Sequence, residues 1–203
     1  MSDPGQETVG LAYRDEDWYA EELGARVWRD CTFTDVDLTE ATSHGATFER
    51  CVFSNCRLNS SVHTSTAFVG CDFKRTSLFD VTLDGCKLTG SVFSECVLKP
   101  VTVTGGVWRG VTFRGGSLAK VDLTGVDLRE SDLSMTDLSG AVLRDCRLDG
   151  ATLRQANLTE ADLRGATLDG VDLASATLRR TRLDLAGAVH LATLQGADVD
   201  TSG

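Results

Sequence analysis

The side chains able to do chemistry are seven cysteines, three histidines and thirty carboxylates in 203 residues. Cysteine at this density raises zinc binding and redox chemistry, but the spacings answer against both. Cys31, Cys51 and Cys71 stand twenty apart, Cys56 and Cys96 forty apart, and Cys86 and Cys146 sixty apart. The short Cys-x-x-Cys and His-rich spacings of zinc sites are absent, and an odd cysteine count argues against a purely intrachain disulfide framework. His44 and His190 have no neighbouring Cys or His. The carboxylates recur at five-residue spacing, which makes exposed ladders rather than a desolvated pair with split pKa values. No phosphate loop, nucleophile elbow or dinucleotide-binding glycine signature occurs. The expectation is a protein without catalytic residues, metal or cofactor.

The spacing is itself the main signal. Every fifth residue from Phe33 through Phe48, Phe53, Leu58, Phe68, Phe73, Trp108 and Phe113, and then leucine at every step from Leu123 to Leu183, is large and apolar, with only Ser43 and His63 as exceptions. Two places earlier stands a small residue, such as Cys51, Ala141 or Ala156, and all seven cysteines fall in this class. One place before the large residue Asp, Asn or Thr is frequent. A period of five fits neither a helix at about 3.6 nor a strand at about 2. It requires a chain that turns a corner every five residues, so that four sides make one twenty-residue coil. Coils then stack at about 4.8 Å, and residues 31–185 would form a rod roughly 37 Å long. The fold expected is all-β: a right-handed quadrilateral β-helix with a short C-terminal α-helix, its shaft tapering where leucine replaces phenylalanine. Cysteines and His63 would be buried in that shaft, and Pro100 would lie at a corner.

Three segments follow. Residues 1–27 are an acidic N-terminal extension or cap, with a short helix or irregular stretch at 15–23, Trp18 and Trp28 covering the first coil, and disorder over 1–10. Residues 28–184 are the repeat. Residues 185–203 carry the helix, from about Leu185 to Gln195, with Asp184 as its N-cap and Gly196 as its stop. Leu185, Ala188, Val189, Leu191, Ala192 and Leu194 leave this helix apolar nearly all round, more than one rod end needs. They are the expected contact of a two-fold dimer.

The net charge is −10, which opposes direct binding to nucleic acid, since that needs a basic face. No stretch has the length of a secretory h-region or a membrane span, and a cytoplasmic location without membrane contact is expected. Within the repeat the sign varies: residues 50–119 carry eight bases and four acids, and residues 120–175 six bases and eleven acids. No side of the rod is of one sign.

The repeat unit visible in Ala156-Asn157-Leu158-Thr159-Glu160 and Ala161-Asp162-Leu163-Arg164-Gly165 resembles the pentapeptide-repeat family. Trp28-Arg29-Asp30-Cys31-Thr32-Phe33 and Leu98-Lys99-Pro100-Val101-Thr102-Val103, with the unbroken register and the C-terminal helix, resemble its MfpA/Qnr-type branch of DNA gyrase-interacting, fluoroquinolone-resistance proteins. Loop-bearing Qnr proteins interrupt their coils; this chain does not. The resemblance implies a homodimeric rod that imitates B-form DNA, occupies the DNA-binding saddle of DNA gyrase, and so protects this type II topoisomerase from quinolones or natural poisons. The carboxylates that would stand in for phosphates are Asp122, Asp127, Asp132, Asp137, Asp162 and Asp172. The alternative is a non-catalytic scaffold for another protein partner.

Overall fold

The computed structural model describes residues 7–200. Its unit is the pentad: a small inward residue, an outward one, the large inward one, another outward one, and a corner. The corner residue adopts a left-handed conformation, with φ of 55° at Asp35 and 59° at Glu130, for example. That conformation costs a non-glycine residue about 1–2 kcal/mol, and the ladder bonds and buried core offset it.

The first side of the rod carries β1 (Glu7–Val9), β4 (Val27–Arg29), β7 (Thr47–Glu49) and β10 (Ala67–Val69). The second carries β2 (Ala12–Arg14), β5 (Thr32–Thr34), β8 (Val52–Ser54), β11 (Asp72–Lys74) and β13 (Val92–Ser94). The third is a column of single bridges joining Asp17, Asp37, Arg57, Ser77 and Val97. The fourth carries β3 (Glu22–Gly24), β6 (Thr42–His44), β9 (Val62–Thr64), β12 (Val81–Asp84) and β14 (Val101–Thr104). All pairings are parallel, and apart from Gly24↔Ser43 they are offset by twenty, as in Phe33↔Phe53 and Phe48↔Phe68. Beyond Thr104 the sides are single bridges between turns, for example Asp127↔Arg147.

The outward residue before each large one helps decide between strand and turn. Where it is Val or Thr the side tends to run extended, as β-branching favours. Where it is Asp or Asn its side chain can accept the N–H two residues on. Asp37 takes Thr39 N at 3.0 Å, Asp132 takes Ser134 N at 2.9 Å, and Asn157 takes Thr159 N at 3.1 Å. Such Asx bonds tighten the chain into a turn.

The shaft is dry. Phe33, Phe53, Phe73, Phe93 and Phe113 stack in one column at 4.5–4.7 Å, and Trp28, Phe48 and Phe68 in a second at 4.6 and 5.0 Å. Each such pair adds about 0.5–1.5 kcal/mol beyond area burial. Six cysteines are buried and Cys96 is half-buried. Their thiols donate to carbonyls one coil below: Cys71 to Phe48 O at 3.2 Å, Cys86 to His63 O at 3.1 Å, Cys146 to Leu123 O at 2.9 Å. His63 is buried, with Nδ1 2.7 Å from Ser43 Oγ and Nε2 3.0 Å from Ser61 Oγ.

The N-terminal end differs from expectation. Coils begin at Glu7, inside the segment read as an extension. The large-residue series continues backwards in register through Thr8, Tyr13, Trp18 and Leu23, and β1 pairs with β4 as Thr8↔Trp28. No helix forms over 15–23. The small-residue signal fails there because Leu11, Glu16 and Glu21 occupy the preceding slots; at the terminal coil these side chains turn out to solvent and are exposed. Of the stretch expected to be disordered, residues 7–10 hold β1 and its corner, and residues 1–6 lie outside the described ones. Trp18 sits edge-on to Tyr13 and Phe33 and covers the open shaft; Trp28 lies one level deeper, inside it. Pro100 occupies a bend at a corner, after a cis peptide bond.

At the other end α1 (Leu185–Leu194) is capped by Asp184, whose carboxylate accepts Gly187 N at 2.9 Å and Gly165 N at 2.7 Å. Gly187 is its one buried residue. Among the described residues no helix is long and apolar enough to cross a membrane.

Candidate partner-binding surface

The rod offers its outward positions and α1 as working surface. No cluster among the described residues could hold a metal ion. The outward positions stack at coil spacing, so opposite charges twenty apart meet. Arg50 grips Asp30 through two bonds of 2.8 and 2.9 Å, and Arg57 reaches Asp37 at 2.7 Å. The Arg57 guanidinium holds the Asp37 carboxyl down at about 2.

The six candidate aspartates do not share a side. Asp122 and Asp162 project from the fourth side, Asp132 and Asp172 from the second, Asp127 from the first and Asp137 from the third. They also fall into two electrostatic classes. Asp127 and Asp162 are buried to 8% and 6% exposure. Arg129 chelates Asp127 at 2.5 and 2.8 Å. Arg164 does the same to Asp162 at 2.7 and 2.8 Å, with Arg144 adding a bond at 2.8 Å and Arg182 standing at 3.9 Å. Both carboxylates are neutralised within the chain. Asp122, by contrast, is exposed; Thr124 donates to it through N at 2.9 Å and Oγ1 at 2.6 Å and holds its carboxyl below the usual range. Asp132 and Asp137 are half-buried. Burial works to raise their carboxyls, yet the bonds from Ser134 and Ser139 prevail and lower them. Asp172 is exposed, and its side chain makes no cap bond to the short 3-10 turn Leu173–Ser175 that follows it. Four of the six therefore present negative charge outward.

The sequence pattern did not separate these classes. The signal was available: an arginine two residues after the aspartate, in Asp127-Leu128-Arg129 and Asp162-Leu163-Arg164, marks the clamped pair.

On α1 the six candidate residues also divide. Leu185 is 78% exposed, Leu194 is 41% exposed and Ala188 is exposed, whereas Val189, Leu191 and Ala192 are half-buried and Leu191 packs on the core. His190 Nε2 donates to Val171 O at 2.7 Å and pins the helix to the last coil. The helix closes the shaft with part of its apolar surface and leaves the rest uncovered.

Comparison with known proteins agrees with this architecture. The family model for pentapeptide repeats matches residues 28–62, 64–98, 109–145 and 146–184. The pentapeptide repeat protein MfpA of Mycobacterium tuberculosis (strain ATCC 25618 / H37Rv) is 41% identical over 81 residues, which cover 37% of this chain and 44% of MfpA; the matched stretch thus spans less than half of that relative. Two trypsin-treated variants of QnrB1, a plasmid-mediated fluoroquinolone resistance protein, share the fold along 97% of this chain and 98% of theirs, with TM-scores of 0.61 and 0.52 at 20% and 19% identity. The repeat, its register and the model match together place this chain in the pentapeptide-repeat family.

Proposed function

We propose that the protein is a non-catalytic, cytoplasmic DNA mimic that binds DNA gyrase and protects it from quinolones or natural gyrase poisons, acting as a homodimer through α1. The observation that carries this reading is the segment-level likeness to MfpA joined to a rod whose five-residue register has no insertion. The outward carboxylates of such a rod can face the Lys and Arg of a DNA-binding saddle as phosphates do. Asp122, Asp132, Asp137 and Asp172 are the proposed contacts. Asp127 and Asp162, held by their own arginines, serve the rod. If Leu185, Ala188 and Leu194 meet their mates across a two-fold axis, the acidic segment 120–175 lies near the centre of the double rod, where a two-fold saddle grips.

The test is gyrase supercoiling and quinolone-induced cleavage with and without micromolar protein. Inhibition of supercoiling, or fewer cleaved complexes at fixed drug, supports the proposal. No effect in either assay leaves a second reading, a scaffold for another protein partner. The basic segment 50–119, which does not suit a DNA mimic, favours that reading.

A further inference from the structure

At one level of the rod the backbone ladder is open on two adjacent sides. Elsewhere along the third side each coil hydrogen-bonds to the next, as in Ser77 N to Cys56 O at 2.9 Å, Val97 N to Thr76 O at 3.2 Å and Asp137 N to Gly116 O at 2.9 Å. The corresponding rungs between residues 95–105 and 114–124 are not made. Ser117 N does not reach Cys96 O, Asp122 N does not reach Val101 O, and neither Leu98 N nor Val103 N finds its carbonyl on the coil above. The bridges Val97↔Ser117 and Thr102↔Asp122, due by register, are absent. On the first and second sides the contacts hold: Val107↔Asp127 and Val92↔Thr112 are formed, Phe93 N donates to Thr112 O at 2.9 Å, and Asp127 N donates to Gly106 O at 3.1 Å.

The result is a wedge-shaped cleft on two of four sides. Its main part has a volume of about 710 Å³, between Lys99–Val103 and Ala119–Asp122, and a smaller part of about 240 Å³ lies between Glu95 and Arg114. Inward residues here are half-buried although the same slots one coil below, at Thr76, Val81 and Leu83, are buried: Cys96, Val101 and Val103. The glycine pairs stand where the open sides meet the closed ones. Gly105-Gly106 ends the lower lip and Gly115-Gly116 begins the upper.

We infer that the rod hinges at this level, its two halves tilting about the closed first and second sides while the cleft on the third and fourth opens and closes. A ladder rung contributes about 0.5–1.5 kcal/mol net. A level lacking the rungs of two sides is where stiffness is lowest, and the glycine pair at one end of each lip can absorb the backbone change. The inference does not depend on the proposed partner.

Spin labels on the full chain test it, in a Cys96→Ala background and diluted with unlabelled protein so that a second copy stays silent. Thr42→Cys with Val142→Cys spans the cleft on the fourth side; Val52→Cys with Thr152→Cys spans the same number of coils on the second side. Each pair is five coils apart, about 24 Å at the coil spacing. A distance distribution at least about twice as wide across the cleft as on the closed side is expected for a hinge of this kind. Amide exchange at Leu98, Val103, Ser117 and Asp122 should run about 100-fold faster than at Phe93, Trp108 and Thr112, as for a locally open unit. Equal widths in the two pairs, whether narrow or broad, or equal protection on the two sets of amides, overturns the hinge.

Discussion

Ser43 and His63, the two breaks in the large apolar series, lie directly above one another in the shaft, with Ser43 Oγ 2.7 Å from His63 Nδ1. Each accounts for the other: a buried imidazole needs partners at both nitrogens, and one coil below is the only ladder neighbour of that slot on the N-terminal side. Ser61 Oγ lies 2.7 Å from Leu58 O and donates its proton there, so it accepts from Nε2–H, leaving Nδ1 to accept from Ser43. Burial pushes the His63 pKa down to about 4. The folded value lies below the unfolded one of about 6.5, so the neutral ring stabilises the fold fully above pH 6.5, and this is lost as pH falls from 6.5 towards 4. The loss is on the order of 3 kcal/mol. Urea unfolding between pH 7 and 5 should show most of it, and His63→Leu should remove most of the slope in that window. The remaining acid lability, from carboxyls such as Asp37 and Glu49 that their arginine partners hold down, sets in as pH falls below about 5. An unchanged slope in the variant would refute the assignment.

Gly106 makes room for the Cys86 carbonyl on the coil below and for the Trp108 indole. A Cβ on Gly106 would stand 2.4 Å from Cys86 O and 3.2 Å from the indole Nε1, at a φ of +116°. Gly106→Ala should cost about 2–4 kcal/mol, since both backbone strain and overpacking apply. Gly125 also has positive φ, but nothing lies within 4 Å of its Cβ position, so Gly125→Ala should cost only about 1 kcal/mol. Denaturation midpoints of the two variants measure the difference.

The thiols should be inert in the native state. Burial pushes Cys56 and Cys86 up to about 11 and Cys146 to about 12, and only the thiolate is the nucleophile. With a thiol reagent at pH 8, Cys96, half-buried at the cleft, should react first and the others only on unfolding. The small inward slot wants a compact donor to the carbonyl 23 residues earlier, and Thr76, Ser91 and Thr136 fill it the same way, at 3.1, 2.8 and 3.0 Å. That explains why cysteines gather there without redox chemistry.

The five-residue period showed the shaft, the corners and the cysteine slots from sequence alone, because each pentad is a local unit whose neighbours are fixed by register. What it missed was non-periodic. The first coil was hidden because Glu16 and Glu21 stand in slots that are inward only when another coil lies below. The partition of the aspartates was hidden because it depends on where long arginine side chains fold back. The open level at residues 95–124 left only its punctuation in the sequence, Pro100 and the two glycine pairs.

The clamped and free aspartates should separate in measurement. Asp162→Ala leaves Arg144, Arg164 and Arg182 crowded without their carboxylate and should lose about 1–2 kcal/mol of stability. Asp122→Asn, at an exposed site and with its Oδ1 acceptor kept, should change stability by no more than about 0.5 kcal/mol. If the carboxylates facing outward are the gyrase contacts, Asp122→Asn combined with Asp132→Asn, which removes the charge and keeps the Oδ1 acceptor of each turn, weakens inhibition of supercoiling at nearly unchanged Tm. Loss of stability in that double variant would instead assign these residues to the fold.

Leu185 is the sharpest probe of assembly. It is the most exposed large apolar side chain of the described residues, at 78%, and sits at the first turn of a helix whose own chain buries only Gly187. Leu185→Glu removes nothing from the monomer core, and a carboxylate at a helix N-terminus is favourable by about 0.3–1 kcal/mol. A monomeric protein should therefore tolerate the change with unchanged mass and a slightly raised Tm. A dimer built on this helix would bring two new carboxylates together across the two-fold axis, in a contact that was apolar, and should dissociate. Light scattering on the full chain distinguishes the cases: the expected result is a halving of the native mass on Leu185→Glu, with cooperative unfolding retained. A wild-type mass equal to one chain removes the dimer from the proposal and, with it, the reason for placing segment 120–175 at the centre of a double rod.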